Sequence, residues 1–162
     1  MNIVVTGIAP RCGTSAMMRL LLDRGWQSHS HAQQFPSYTV KAKNPEGFWD
    51  VSQTFIENPA PISMGSNECI KLWYPHFDLV DWSTVDLMVV MHRTDFVQQL
   101  GSIKKCAGAE GLTLTAKQYA EMFTNSNRYI NNVQDSVKQL KVPMRYLRGS
   151  PKSVLHKIKE IV

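Results

Sequence analysis

Apolar residues are arranged along this chain in two ways, as short continuous runs and as stripes at helical spacing. The continuous runs are rich in β-branched residues and predict strands at residues 2–6, 69–73 and 87–91. Helical spacing predicts a helix over residues 14–24, and Gly25 follows it as a helix stop. The chain is therefore predicted to begin with a strand, a tight loop and a helix.

The second half of the chain is predicted to be mainly helical. Apolar stripes predict helices over residues 95–105 and 115–140, and the second begins with a Thr/Gln capping-box pattern. A short strand at residues 144–147 is expected to precede a final helix that begins at Pro151. Because strands alternate with helices, the predicted fold class is α/β, with three layers around a central parallel sheet.

Residues 26–62 interrupt this alternation. They are rich in proline and show little periodicity, so they are predicted to be irregular apart from one short helix over residues 51–57. Long irregular segments in compact domains usually cover a functional site. We therefore expect this segment to lie over the site.

Length and composition predict one domain. The chain has 162 residues, of which 43% are hydrophobic and 19% are charged, and this suits a single domain over residues 1–162. The longest apolar run, residues 87–91, is far shorter than the roughly 20 residues that a membrane-spanning helix needs. The amino terminus has no basic region and reaches a Gly/Pro turn too early for a signal peptide. A cytoplasmic protein without a membrane partner is expected.

Net charge and the number of cysteines indicate the class of ligand and the state of the thiols. The 18 Lys and Arg residues exceed the 13 Asp and Glu residues, and the net charge of +5 favours an anionic ligand. The basic residues are too scattered for a nucleic-acid groove, so no nucleic-acid partner is expected. Three widely spaced cysteines, Cys12, Cys69 and Cys106, fit neither a disulfide framework nor a paired-cysteine zinc site, so reduced thiols are expected. The sequence gives no signal for an oligomeric state.

The segment VVTGIAPRCGTSAMMRLL places glycines and small residues between the first predicted strand and the first helix. Free backbone N–H groups and the positive end of a helix dipole meet at such a position, which favours a phosphate. The loop of a kinase or NTPase would read G-x-x-x-x-G-K-[ST], but Thr14 stands at the lysine position and Arg11 is the only cation of the loop. The loop therefore predicts phosphate binding of another kind.

A second signal follows the strand at residues 87–91. An NTPase commonly ends this strand with an aspartate that holds Mg²⁺, whereas here the strand runs into His92 and Arg93. A cation at this position repels Mg²⁺ and attracts a second phosphate. Together the two signals predict a nucleotide that has two separate phosphate groups and is bound without a metal.

Three segments, in order along the chain, resemble the sulfotransferase family that uses 3′-phosphoadenosine 5′-phosphosulfate. APRCGTS resembles the family's PRSGT[ST] loop, and VVMHRTDFVQQLGSIKK is similar to its second element, a strand followed by an arginine and then a serine. KNPEGFWD resembles the NP-x-G-[YF] segment of a bacterial branch. The resemblance implies a P-loop-type fold and a sulfotransferase that moves a sulfuryl group to a hydroxyl or amine of a small-molecule or carbohydrate acceptor.

The resemblance also implies roles for individual residues. The 5′-phosphosulfate would be bound by the loop and the 3′-phosphate by the second element: Arg11, Cys12, Gly13, Thr14 and Ser15 for the first, Arg93 and Ser102 for the second. Arg11 would neutralise charge on the sulfuryl group and the bridging oxygen. His31 is the expected general base because it closely follows the first helix, with Glu46 and Asp50 as alternatives.

Other interpretations of these residues remain open. The chain could be a P-loop kinase-like phosphotransferase, or a nucleotide-binding module without acceptor chemistry. Arg93 could be a surface ion-pair residue and Ser102 an ordinary helical serine. Cys12 could be a reactive thiol of lowered pKa at a helix amino terminus, or only a small residue that fits the turn.

Histidines and aromatic residues leave two more alternatives. The pair His29 and His31 could bind a metal, but without a defined partner spacing the pattern is a weak metal signal, and none is expected. A group of aromatic residues could line an acceptor pocket or belong to the core: Phe48, Trp49, Trp73, Tyr74 and Trp82.

Overall fold

The computed structural model describes residues 1–35, 48–109 and 113–161. Its strands are β1 (Ile3–Gly7), β2 (Gln27–Ser28), β3 (Ala32–Phe35), β4 (Phe48–Val51), β5 (Glu68–Lys71), β6 (Leu87–His92) and β7 (Lys138–Pro143). Its helices are α1 (Thr14–Leu22), α2 (Gln53–Glu57), α3 (Phe96–Ala109), α4 (Ala116–Asn132), α5 (Met144–Gly149) and α6 (Pro151–Ile161), and 3₁₀ turns span Tyr74–Leu79 and Trp82–Thr84. None of these described helices is long and apolar enough to cross a membrane.

Five parallel strands form the central sheet, in the order β2-β5-β1-β6-β7. β1 lies in the middle, where Ile3 is opposite Cys69 of β5 on one side and Leu87 of β6 on the other. β3 and β4 form a separate antiparallel pair. The predicted α/β class and parallel central sheet are therefore confirmed.

Successive residues of the central strands point to opposite faces of the sheet, and different helices cover each face. On one face, Ile3, Val5 and Val89 pack with buried residues of α1, α5 and α6. On the other, Val4 and Val90 pack with buried residues of α2, α4 and the first 3₁₀ turn. The result is three layers, with helices on both sides of the sheet. Burial on both faces explains why β1 and β6 are continuous apolar runs in the sequence.

The segment 26–62 contains more regular structure than its sequence predicts. The short helix is present as α2, but β2, β3 and β4 also lie in this segment. β3 has no apolar alternation because its central residues, Gln33 and Gln34, are exposed. The prediction that the segment is irregular apart from one helix is therefore wrong for its described part.

The region around Pro143 shows a second error. The helix predicted over residues 115–140 ends earlier, as α4, and after a turn over residues 133–137 the chain forms β7. Residues 144–147, predicted as a strand, belong to helix α5 instead. Pro143 bears on the second difference, since it ends an edge strand, where its missing N–H is tolerated, and directly precedes the first turn of α5. The final helix begins at Pro151 as predicted.

The carboxyl ends of three neighbouring strands lie at one edge of the sheet. β1 ends at Gly7, β5 at Lys71 and β6 at His92, and the register places Gly7 opposite Met91. In open parallel sheets, ligands bind beyond this edge. The loop between β1 and α1 leaves the sheet here, so the fold places the predicted phosphate loop where a ligand site is expected.

Candidate anion-binding site

The loop between β1 and α1 has a backbone conformation suited to an anion. φ is positive at Ala9 (60°), Arg11 (67°) and Gly13 (98°), whereas Pro10 and Cys12 between them keep negative φ. Such alternation is typical of a nest, a concavity lined by backbone N–H groups that binds anions. Pro10 has no N–H and Ala9 donates its own to Ser126 Oγ, so the N–H groups of Arg11 and Gly13 remain as donors of this loop. We call residues 9–13 the nest. Positive φ costs a non-glycine residue about 1–3 kcal/mol, so two such residues in one loop indicate a functional constraint.

The first turn of α1 adds unpaired donors beside the nest. No side chain caps the helix, and its first backbone bond runs from Met17 N–H to the Gly13 carbonyl oxygen over 3.1 Å. In the described part of the chain, the N–H groups of Gly13, Ser15 and Ala16 have no protein acceptor. Ser15 Oγ accepts a bond from Trp49 N–H at 3.1 Å, which holds its hydroxyl against β4. Unpaired N–H groups at the positive end of a helix dipole stabilise a bound anion.

Cys12 supports the loop and is not a reactive thiol. Its side chain is fully buried beside Gly7, where a Cβ would collide with the Cys12 Sγ. Burial raises the pKa of the Cys12 thiol to about 12, and the charge of Lys71 and the N–H of Thr14 offset only part of this effect. The alternative of a thiol with lowered pKa is therefore wrong. All three cysteines are free, as predicted.

The structure brings two predicted site residues, Arg11 and Ser102, into contact. Arg11 Nε donates a hydrogen bond to Ser102 Oγ over 3.2 Å, and Arg11 is otherwise exposed. Ser102 lies on α3, the helix that follows Arg93. Groups predicted for the 5′- and the 3′-phosphate are therefore adjacent. Thr14 differs from them, because the residue is buried, with only 5% of its surface exposed.

Arg93 follows β6 and has a buried nitrogen without a partner. Within the described ranges, no acceptor reaches its Nε and no carboxylate lies within ion-pair distance of its guanidinium. Burial lowers the pKa of Arg93, and the positive charges of Arg148 and Arg11 lower it further, although Asp95 acts in the opposite direction. We call Arg11, Arg93 and Arg148 the arginine cluster. A buried unpaired donor and mutual repulsion are both unfavourable, and a bound anion would relieve both.

Lys71 at the end of β5 is a buried cation that the sequence reasoning missed. Its side chain is 6% exposed, and Nζ donates to the Trp49 carbonyl oxygen at 2.6 Å and to Asp50 Oδ2 at 2.8 Å. Nζ also lies 5.1 Å from the centre of the Trp73 ring. Its charge acts on Cys12 in the loop. The available signal was a lysine inside an apolar strand, where an unpaired charge is too costly to be buried.

The predicted base His31 has ring nitrogens without a hydrogen-bond partner among the described residues. Its ring packs against Phe55 at 4.9 Å and His29 at 5.0 Å between centroids. Burial lowers the pKa of His31, and the neighbouring His29 lowers it further. Among the described residues, the ring contacts of His31 are with Phe55 and His29, and neither residue belongs to the nest.

His29 has a structural role. Its Nδ1 accepts a bond from His31 N–H at 3.1 Å, and its Nε2 lies 3.3 Å from the Ser63 carbonyl oxygen, which assigns the ring proton to Nε2. Both ring nitrogens are therefore used within the protein. Over the described residues, no group of three or more His, Cys, Asp or Glu side chains is arranged to hold a metal ion.

The two carboxylate alternatives for the base have different outcomes. Asp50 uses both oxygens, since Oδ1 accepts from Val51 N–H at 2.9 Å and Oδ2 pairs with Lys71 at 2.8 Å. A carboxylate engaged in this way is poorly placed to take a proton from an acceptor. Glu46 lies outside the described residues, as does most of the KNPEGFWD segment. Of the three candidate bases, His31 is the one whose described side chain has proton-accepting atoms without a hydrogen-bond partner.

The aromatic residues are divided between core and ring pairs. Trp49 and Trp73 are partly buried and pack against the core beside α1. Trp82 packs edge-on against Phe77, and Tyr74 stacks on Tyr129 of α4 at 5.3 Å. These contacts favour packing over an open acceptor pocket for Trp82. Nothing is described of the Phe48 side chain.

Known proteins do not assign this site. No family model, no curated protein sequence and no solved structure matches the chain significantly. A function must therefore be argued from the nest, the arginine cluster and the side chains around them.

Proposed function

We propose that the protein is a sulfotransferase that binds 3′-phosphoadenosine 5′-phosphosulfate and transfers its sulfuryl group to a hydroxyl or amine of a small-molecule or carbohydrate acceptor. One observation supports it most: the charge of Arg93 acts on Cys12 of a strained nest, and neither Arg93 nor Arg11 of that nest has a carboxylate partner in the described part of the chain. A nest next to an arginine cluster suits a ligand with two separate phosphate groups. The resemblance of the loop and of the β6–α3 segment supplies the identity of that ligand. We also propose a cytoplasmic location, which the three free cysteines support.

The residues present fit the two phosphate groups of this co-substrate. The unpaired N–H groups of the nest and of α1 would hold the 5′-phosphosulfate, with the Ser15 hydroxyl beside them. Arg93 would hold the 3′-phosphate, and its buried Nε would gain an acceptor. Ser102 would assist Arg93 with the 3′-phosphate, and its contact with Arg11 supports a place near the 5′-phosphosulfate as well.

The chemistry needs charge neutralisation and a base. The co-substrate supplies an activated sulfuryl group when it is bound. Sulfuryl transfer spreads charge over equatorial oxygens as phosphoryl transfer does, but the group is less negative, so positioned cations such as Arg11 can take the place of a metal. His31 would accept the proton of the acceptor, because burial lowers its pKa and keeps the imidazole neutral.

A specific observation favours a second candidate, a nucleotide-binding module without acceptor chemistry. Ser15, at the start of α1, contacts Trp49, whereas the His31 carbonyl oxygen accepts its bond from Ser52 at the far end of β4. At roughly 3.3 Å per residue, these two contacts lie about 10 Å apart along the strand. A base this far from the loop would have to approach when the acceptor binds.

The kinase-like phosphotransferase has less support. β5 ends in Lys71, and β6 runs into His92 and Arg93. Lys71 and Arg93 therefore place cationic side chains at or just after the strand ends where an NTPase commonly places an aspartate for Mg²⁺.

Calorimetric titration with 3′,5′-adenosine diphosphate tests the nucleotide site. Equal affinity is expected in EDTA and in Mg²⁺, because guanidinium and N–H groups take the place of a metal. A strict Mg²⁺ requirement would contradict the proposal and favour the phosphotransferase.

Turnover with co-substrate labelled in its sulfuryl group, over a panel of alcohols, phenols, amines and oligosaccharides, tests transfer. Transfer to at least one acceptor is expected, with kcat strongly reduced in Arg11→Ala and unchanged in Arg24→Ala, an exposed arginine beyond the other end of α1. Tight nucleotide binding without transfer to any acceptor would favour the binding module.

A further inference from the structure

Gln99 holds the nest through its side chain. Gln99 lies on α3 and is 2% exposed. Its Nε2 donates to the carbonyl oxygens of Ile8 and Pro10, both at 2.9 Å, and approaches that of Ala9 at 3.5 Å. One buried carboxamide therefore spans three successive carbonyl groups of the strained loop.

Ser126 of α4 holds the same loop from a second helix. Its Oγ accepts a bond from Ala9 N–H over 3.2 Å and donates to the Met122 carbonyl oxygen at 2.6 Å. Ser126 is 2% exposed, and Ala9 is fully buried. Ala9, which has positive φ without being glycine, is therefore fixed at both its N–H and its carbonyl side.

These bonds decide where the N–H groups of the nest point. A trans peptide directs its C=O and the following N–H in opposite directions. Because Gln99 binds the Pro10 carbonyl oxygen, the N–H of Arg11 points away from α3, and it has no acceptor among the described residues. The Gln99 bonds thus leave a donor of the nest open for a ligand.

We infer that Gln99 is a positioning residue, whose carboxamide fixes the nest in its anion-binding conformation without contacting the ligand. This inference rests on the proposed function, in which the nest binds the 5′-phosphate. It predicts that the affinity for the ligand depends on Gln99, a buried side chain behind the loop. The phosphate contacts alone do not predict this.

A buried glutamine could instead only satisfy its own hydrogen bonds in the core. Both roles predict a less stable variant when the carboxamide is lost. Only the positioning role predicts that the folded variant has a changed nest conformation, felt as far as Gly13, and a weaker ligand affinity. Affinity and loop conformation, measured on folded protein, therefore separate the two.

The neighbouring glutamine provides a matched control. Gln99→Leu removes the donors, whereas Gln98→Leu makes the same change at an exposed position of the same helix. Binding of 5′-AMP is expected to weaken about tenfold in Gln99→Leu, because the measured affinity falls with the fraction of molecules whose nest is in the competent conformation. Gln98→Leu should change it by less than about twofold. Ser126→Ala provides a second test of the same loop if Gln99→Leu does not fold, with a smaller loss of affinity expected.

Amide NMR spectra of the ligand-free protein test the loop conformation without relying on nucleotide binding. Gln99→Leu, or Ser126→Ala in its place, should shift the signals of Ala9, Arg11 and Gly13, and Gln98→Leu should leave them unchanged. Shifted loop amides in a protein that binds no nucleotide would retain the positioning role and remove the proposed function. The positioning role would be overturned if the loop amide signals and the 5′-AMP affinity were both unchanged. If the wild-type protein binds no nucleotide, unchanged loop amide signals alone would overturn it.

Discussion

Replacement of Arg93 by alanine is the sharpest test of a site for two phosphates. The change removes a guanidinium whose Nε is already buried and has no partner among the described residues. A phosphate that reached this Nε would supply the acceptor that it lacks. A hydrogen bond to a charged group contributes about 1.5–3 kcal/mol, so Arg93→Ala should weaken 3′,5′-adenosine diphosphate about ten- to hundredfold.

Stability should respond in a different direction from affinity. Burial and the charges of Arg148 and Arg11 disfavour the charged form of Arg93 in the free protein, which is why its pKa is lowered. Removing Arg93 removes that repulsion, so the free energy of unfolding should stay unchanged or rise slightly. A purely structural arginine would instead lower it on replacement.

The assay is calorimetric titration at one fixed salt concentration, with 3′,5′-adenosine diphosphate and with 5′-AMP. 5′-AMP lacks the 3′-phosphate, so Arg93→Ala should barely change its affinity. Arg24→Ala removes the same charge beyond the far end of α1 and corrects for the loss of net charge. Equal losses for both nucleotides in Arg93→Ala would refute the assignment of a 3′-phosphate site.

Three further outcomes are expected. Gly13→Ala should lower the free energy of unfolding, measured in urea, by about 1–3 kcal/mol because φ at this residue is +98°. Gly149→Ala, where an added Cβ meets open space, should not lower it by a similar amount. Equal effects of the two substitutions would contradict the loop geometry. In native protein near pH 8, a thiol reagent should label Cys106 before Cys12, since burial raises the pKa of Cys12 to about 12; rapid labelling of Cys12 would contradict its burial. Burial lowers the pKa of three histidines, including His31, so the unfolded chain binds more protons just below about pH 6.5, and stability should fall as pH drops through that range. A flat or opposite pH dependence in denaturant titrations would contradict these shifts.

The strands of the sheet centre could be predicted because burial on both faces leaves a simple apolar signal. β1 and β6 contain almost only apolar residues, and the nest follows β1 after one residue, Ile8. β7 gave no such signal, since it is an edge strand in which Lys138 and Lys141 are exposed. Its apolar residues also continue the helical spacing of α4, so periodicity alone extended the helix too far.

The hydrogen bonds that hold the nest could not be predicted from the sequence, and the reason is different. Gln99 and Ser126 act on the loop across large sequence separations, and both residue types are ordinary on helix surfaces. Only the packing of α3 and α4 behind the loop turns them into buried hydrogen-bonding groups. Lys71 was missed in the same way, because its partners Trp49 and Asp50 lie on a strand that the sequence did not predict.

α3 makes the two predicted phosphate positions one unit. The helix begins just after Arg93, holds the nest through Gln99, and one turn later presents Ser102 to Arg11. A nucleotide with a single phosphate would leave either the nest or Arg93 without its partner. Because unpaired buried donors are costly, such a ligand forfeits binding energy that a doubly phosphorylated one keeps. Selectivity for a nucleotide with separate 5′ and 3′ phosphates would therefore have two sources. One is the contact with the second phosphate, and the other is the cost of donors that a singly phosphorylated nucleotide leaves unpaired.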